Sequence, residues 1–546
     1  LFFLLLSASL QTLTAQSEAK DHIRDDVYFL ADDKLEGRAT GSEGEKQAAD
    51  YIAKQFAAIG LISPDGLNNY LASFDVNAGK AEGKEIYISL GNDLFKTPDV
   101  YPLSFSANGN LSAEITFLGY GISAPDLGHD DYAGKDVTGK IAVIQLSSPE
   151  GNNPHSKYAD HIDERTKVLV AMLHGAKGVI FFNEDPDYEI PMRNYSRNSP
   201  RESVPVLYAD KKVIDRIKSY HGMIGMGAEL NDVVKTGHNV VGFIDNKSEN
   251  TVVIGAHYDH LGHGEIEGSL YRGEPAIHNG ADDNASGVAL IIQLARMLKL
   301  SDLKNNNYLF IAFSGEEMGL FGSKAFVKSE TIKNYHVNYM LNFDMVGRID
   351  SLNTLIINGA GTSPEWKVLE QLKGNDIHIK TTESGVGPSD QTSFYLSDIP
   401  VLHFFTGSHQ DYHKPSDDAD KINFDGIVTV LDYTFDLIAH IDSKGKIPFT
   451  KTNDSNNDDA PKFTVTLGVV PDYAYNGKGM RIDGVSDGKP ASHAGLLTGD
   501  VVTKLGTHDV SDMMSYMKAL SKFQKGDATT VTFLRNGNEL TLPIQF

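Results

Sequence analysis

Between Asn239 and about Asp442, short apolar runs alternate with helical stretches. Thr251–Ala256, Tyr308–Phe313, Asn338–Phe343 and Pro400–Phe405 have strand length and no polar alternation, as buried strands do. Gly287–Leu300 reads as a helix, with Val288, Ile291, Ile292, Ala295 and Leu298 at helical spacing. Leu290 and Leu294 widen its apolar surface, which predicts a well-buried helix. Strands alternating with helices predict an α/β fold on a mostly parallel sheet. Upstream, the region from Asp21 to Gly60 reads as helical. Its second helix opens at Gly41-Ser42-Glu43-Gly44-Glu45, carries Ala48, Ile52 and Phe56, and stops at Gly60. A strand-like run follows around Glu85–Leu90. From about Pro98 to Gly237 the runs are shorter: Lys140–Ile144 and Val204–Leu207 read as strands, Lys167–Leu173 as a helix and Gly178–Phe182 as a strand. The polar, acidic stretch Lys451–Lys462 reads as a linker, because it lacks the central Gly and terminal Glu of a calcium-binding EF-hand loop. A further small domain follows it.

The 546 residues suit three or four domains at roughly 150 residues each. A hydrophobic fraction of 40% is enough for sizeable cores. The net charge of −24 argues against nucleic acid and against an anionic membrane surface, both of which require basic patches. Leu1–Leu6 is apolar but too short to span a bilayer, and no other stretch is long and apolar enough. With Leu13-Thr14-Ala15 ahead of Gln16, residues 1–15 read as part of a signal peptide whose first residues are missing. The chain has no cysteine, so any metal must be held by histidines and carboxylates. An exported bacterial protein, periplasmic or secreted, fits these features.

The chemistry-bearing residues cluster at the ends of the predicted strands, where an open α/β sheet places its ligands. His257 and Asp259 follow one strand, Glu316 and Glu317 another, Asp344 a third, and Tyr412-His413 lies in the loop after the fourth. Asp283 opens the buried helix within Gly280-Ala281-Asp282-Asp283-Asn284-Ala285-Ser286-Gly287. Taken singly, each motif has an ordinary explanation: a surface loop, an N-cap or a solvated acidic helix start. Together they supply two histidines and three carboxylates as ligands, plus a second Glu. Such a set suits two divalent cations about 3.5–4 Å apart that share a carboxylate and activate a water.

The ordered set Gly-Ala-His257-Tyr-Asp259, Gly-Ala-Asp-Asp283-Asn-Ala-Ser-Gly, Ser-Gly-Glu316-Glu317 and Tyr412-His413-Lys-Pro resembles the M28 family of zinc aminopeptidases. Phe117-Leu118-Gly119-Tyr120-Gly121, Gly139–Ile144 and His174–Ile180 resemble a protease-associated (PA) domain. Thr466–Val470, Ser492–Leu496 and Gly499–Val502 resemble a PDZ domain of the bacterial protease type. The division implied is a signal segment at 1–15, peptidase domain at 16–97 and 239–445, PA insertion at 98–238, linker at 446–462 and PDZ domain at 463–546.

The resemblance implies roles as well as a fold. Asp283 would bridge two zinc ions, with manganese or cobalt as substitutes. His257 and Asp344 would complete one site, and Glu317 and His413 the other. Glu316 would be the general base and then the acid toward the leaving amine. Asp259 would orient His257, and Tyr412 would donate to the oxyanion. His260, His263, His278, His403 and His409 match no ligand position and read as loop residues. Ser389-Asp390-Gln391 departs from the family's Ser-Asp-His form at the edge of the specificity pocket. The function implied is an exported di-zinc aminopeptidase acting on peptides. The PA domain would border the cleft, and the PDZ domain would take a peptide C-terminus by strand addition. The competing readings are a carboxypeptidase, a mono-zinc cyclase, and a catalytically dead PA/PDZ adaptor.

Overall fold

The computed structural model describes residues 2–546, apart from 152, 154–155, 186–187, 189, 192, 194, 196–198, 200, 265–267, 272, 373–376, 453–464, 472–477, 486–488, 498, 512 and 536. The acidic part of the expected linker lies outside the described residues. The chain divides into two compact units, Leu1–Val76 with Thr236–Phe546, and Asn77–Lys235.

The first unit is built on an eight-stranded sheet. Its strands are β1 (Leu71–Glu82), β2 (Leu230–Ile244), β3 (Asn250–His257), β4 (Asn307–Phe313), β5 (His336–Phe343), β6 (Thr354–Asn358), β7 (His378–Thr382) and β8 (Val401–Phe405), in the order β1-β2-β4-β3-β5-β8-β6-β7. The four central strands, β4, β3, β5 and β8, run parallel. They are apolar on both faces because both faces are covered. Val252, Ile254, Tyr308 and Phe310 enter one core with helices α1 (Phe2–Leu30), α2 (Glu43–Ile59), α3 (Gly287–Leu300) and α4 (Phe424–Ile441). Val253, Leu309, Ile311 and Phe313, one residue out of step, enter a second core with Phe326 and Phe394. This is the period-2 alternation of a strand buried on both sides.

The sequence places α3 at its observed bounds. The α2 helix starts where Ser42 caps it, its side chain accepting from the Glu45 amide at 3.1 Å, and ends at left-handed Gly60. The α1 and α2 helices are joined by a tight turn at Asp33–Arg38, where Gly37 has φ +69°. A Cβ on Gly37 would lie 2.4 Å from the Gly262 carbonyl oxygen, so only glycine fits beside that loop.

The second unit holds a five-stranded sheet with Ile141–Gln145 and Gly178–Phe182 at its centre, and a four-stranded sheet. Tyr87–Leu90 pairs with Ile224–Ala228 in the four-stranded sheet. The strand expected near Glu85–Leu90 therefore belongs to this unit and not to the peptidase domain. The boundary falls at Val76/Asn77, inside β1, instead of at residue 97. The residues from Val465 onward form a separate small core around Leu467, Ile482, Val502 and Phe533. Among the described residues, no helix is long and apolar enough to cross a membrane.

Candidate metal centre

The C-terminal ends of the four parallel strands converge on a cleft of about 390 Å³. His257 ends β3, Glu316 and Glu317 follow β4, Asp344 follows β5, and the loop after β8 brings Tyr412 and His413. Asp283 enters from the irregular turn Ala281–Ser286 that leads into α3. Asn284 fastens this turn. Its side chain donates to the Phe343 carbonyl at 2.9 Å and accepts from the Gly287 and Met345 amides at 3.0 and 3.2 Å. The Asp283–Asn284 peptide is cis.

Asp283 lies between two histidines. Its Oδ1 is 3.3 Å from His257 Nε2, and its Oδ2 is 3.2 Å from His413 Nε2. His257 Nε2 is also 3.2 Å from Asp344 Oδ1, and His413 Nε2 is 3.3 Å from Glu317 Oε2. Two clusters thus share one carboxylate. All the expected ligand positions come together, and Glu316 and Tyr412 line the same cleft. The Tyr412 ring stacks on His413 with centroids 3.8 Å apart.

Asp259 contacts His257 differently from expectation. His257 Nδ1 lies 3.2 Å from the Asp259 main-chain carbonyl, whereas the Asp259 carboxylate is 3.8 Å away. That buried carboxylate instead accepts from Thr40 Oγ1 at 2.9 Å and from the Glu316 amide at 3.2 Å. It therefore fixes the backbone of the paired glutamates. The tautomer of His257 is set by a carbonyl, which accepts as well as a carboxylate does.

Of the histidines read as loop residues, His260, His278 and His403 are buried and His409 is half-buried, and all four have hydrogen-bond partners. His260 is fully buried with Nδ1 2.7 Å from Glu317 Oε1 and 4.0 Å from Asp283 Oδ2. His409 Nε2 is 3.1 Å from Asp282 Oδ2. His403 sits within β8 and lines the cleft. The signal available in the sequence was position: His260 is one residue past Asp259, and His403 lies inside an apolar strand run.

The electrostatics follow from burying many carboxylates together. Burial, reinforced by Glu317, Asp344 and Asp390, holds the Glu316 carboxyl well above the usual carboxylate range despite His257. Burial also opposes the charge of Asp283, yet hydrogen bonds from His257 and His413 hold it well below that range. The two histidines are correspondingly pushed well above the ordinary imidazole value by Asp344 and Glu317, against the effect of burial. Such a cluster demands positive charge. Among the described residues lining the cleft there is no Lys or Arg.

The model for Peptidase family M28 matches residues 239–438, that for the PA domain residues 106–217, and that for the PDZ domain residues 450–546. The chain is 25% identical to Aminopeptidase YwaD of Bacillus subtilis over 365 residues, covering 63% of this chain and 72% of that protein. It is 28% identical to Leucine aminopeptidase 1 of Uncinocarpus reesii over 217 residues, 36% of this chain and 53% of that protein. Among solved structures it is similar to the aminopeptidase from Aneurinibacillus sp. strain AM-1, with 25% identity and a TM-score of 0.43, covering 79% of this chain and 95% of that one. The chain thus carries an M28 peptidase domain at residues 239–438, preceded by a PA domain and followed by a PDZ domain.

Proposed function

We propose that the protein is an exported metallo-aminopeptidase that holds two zinc ions and releases N-terminal residues from peptides. The observation that carries this reading is Asp283, whose two oxygens face His257 and His413 separately at 3.3 and 3.2 Å. The donors are imidazole nitrogens and carboxylate oxygens, which zinc accepts and which manganese or cobalt also tolerate. His257, Asp344 and Asp283 would hold one ion, and His413, Glu317 and Asp283 the other. His413 suits the second site better than His260, because its Nε2 approaches Asp283 and Glu317 at 3.2 and 3.3 Å, whereas His260 Nδ1 is 2.7 Å from Glu317 but 4.0 Å from Asp283. Bound there, zinc supplies Lewis acidity and lowers the pKa of water.

The remaining steps belong to the chain. Glu316 takes the proton of the attacking water and returns it to the leaving amine, a task suited to a carboxyl whose proton affinity is raised by burial. Asp259 holds the Glu316 amide and so fixes where that carboxyl stands. The Tyr412 hydroxyl donates to the oxygen that becomes negative. An acidic cleft without Lys or Arg among its described lining favours a free α-ammonium over a free carboxylate, which supports an aminopeptidase over a carboxypeptidase.

Residues 1–15 would direct export to the periplasm or beyond. Cleavage before Gln16 leaves the buried residues Ala19, Ile23, Val27 and Leu30 of α1 in place. The PDZ domain would take the C-terminus of a peptide.

The test is hydrolysis of aminoacyl-p-nitroanilides by the purified protein and by Glu316→Gln, with zinc quantified on both. Support is activity that a chelator abolishes and that falls at least about a thousandfold in Glu316→Gln while about two zinc ions remain. A zinc-loaded wild type inactive on every free-amine substrate would overturn the reading.

A further inference from the structure

The wall of the cleft formed by β8 carries a hydrogen-bond donor that the reaction does not use. His403 and Phe405 point to the cleft side of β8, while Leu402 and Phe404 point into the core beneath α3. His403 is 3% exposed. Its Nδ1 is 3.2 Å from Asn358 Nδ2, on the neighbouring antiparallel strand. On its other side the Oδ1 of Asn358 accepts from Thr382 Oγ1 at 2.7 Å. The amide nitrogen of Asn358, which can only donate, faces the ring, and His403 Nδ1 is the acceptor. An imidazole that accepts at Nδ1 carries its proton on Nε2. That Nε2 has no hydrogen-bond partner among the described residues.

A buried donor without an acceptor costs about 1–3 kcal/mol. Such groups are retained where a ligand completes them. Burial drives the His403 pKa down to about 4, so the ring is neutral at working pH and offers a dipole without a charge. Met345, Leu320 and Phe405 add apolar surface to the cleft that His403 and Asn358 line. The metal-binding carboxylates lie in the same cleft and would repel a substrate carboxylate.

From this juxtaposition we infer that His403 determines specificity: its Nε2–H receives the side-chain carbonyl of a neutral carboxamide on the residue being released. The preferred first residue is then glutamine, with an apolar stem for the walls and an acceptor for the ring. A glutamate is disfavoured by charge, and a leucine leaves the donor unmet. The inference rests on the aminopeptidase reading and adds the substrate class.

The experiment measures kcat/KM of the zinc-loaded full chain on glutaminyl, glutamyl and leucyl p-nitroanilides. Wild type should use the glutaminyl substrate at least as well as the leucyl one and clearly better than the glutamyl one. In His403→Leu the glutaminyl-to-leucyl ratio should fall about tenfold, the loss of one hydrogen bond. In His403→Gln, whose Nε2 can stand near the lost ring nitrogen, most of the ratio should return. A wild type that prefers leucyl over glutaminyl overturns the proposal without any variant. So does a ratio that His403→Leu leaves unchanged, which sinks this inference alone. Inactivity of wild type on all three sinks the aminopeptidase reading and the inference with it.

Discussion

Arg38 is the buried residue whose replacement should cost most. It is 1% exposed, and its guanidinium donates to four main-chain carbonyls: Tyr258 at 2.7 Å, Asn279 at 2.6 Å, Gly280 at 3.0 Å, and Leu30. One side chain thus ties the end of α1 to the His257 loop and to the turn carrying Asp283. Its charge also stands near Asp259, Asp283, Asp417 and Glu317, which keep its pKa at about 10 against burial. In Arg38→Met the Gly280 carbonyl still accepts from the Ala285 amide at 3.2 Å. The other three carbonyls lose this donor, at about 1–2 kcal/mol each once relaxation is allowed. The expected loss is about 4 kcal/mol, in the range for breaking a buried polar network. Arg38→Lys keeps the charge but replaces a planar fork with a point donor. It should recover less than half. Trp366 is the only tryptophan and is buried in the same core, so its fluorescence in urea reports the peptidase unit selectively. A loss below about 1 kcal/mol, or full rescue by lysine, would refute the claim that the fork geometry holds the site.

Three other outcomes are expected. Chelation should lower the urea midpoint of the Trp366 transition, because Asp283, Glu316, Glu317 and Asp344 lose their counter-charge; zinc at a thousand times its Kd should restore about 4 kcal/mol. Gly44→Ala should destabilise the peptidase unit by about 3 kcal/mol in the same assay, because its Cβ would lie 1.8 Å from the Leu35 carbonyl oxygen. In the PA unit, Lys167 is buried with its ammonium donating to the Ser147 and Gln145 carbonyls at 2.6 and 3.2 Å, and burial depresses its pKa to about 7. The unfolded chain, near its ordinary value of 10.5, binds this proton first as pH falls. Stability of that unit should therefore rise between about pH 7 and pH 10.5, by a few kcal/mol, and Lys167→Met should flatten the rise. Pulse proteolysis in urea, with cuts mapped to residues 77–235, reads this; an equal slope in both proteins would contradict it.

Local patterning was enough to place the strands β3, β4, β5 and β8, the bounds of α3, and the order of acidic and histidine motifs at the strand ends. Apolar runs of fixed length encode burial on both sheet faces, and that signal is local. What tertiary structure alone decided is the partner of each polar group. Asp259 reaches Thr40 and Glu316, His260 reaches Glu317, and Arg38 reaches Tyr258 and Asn279. Those partners lie tens to hundreds of residues away, and nothing in a local pattern names them. The same holds for the boundary at Asn77, where one continuous strand crosses from one unit to the other. His403 shows the limit most directly. Its place in an apolar run marks it as buried, but only the packing of β6 against β8 sets Asn358 on its Nδ1 and leaves the other nitrogen without a partner among the described residues.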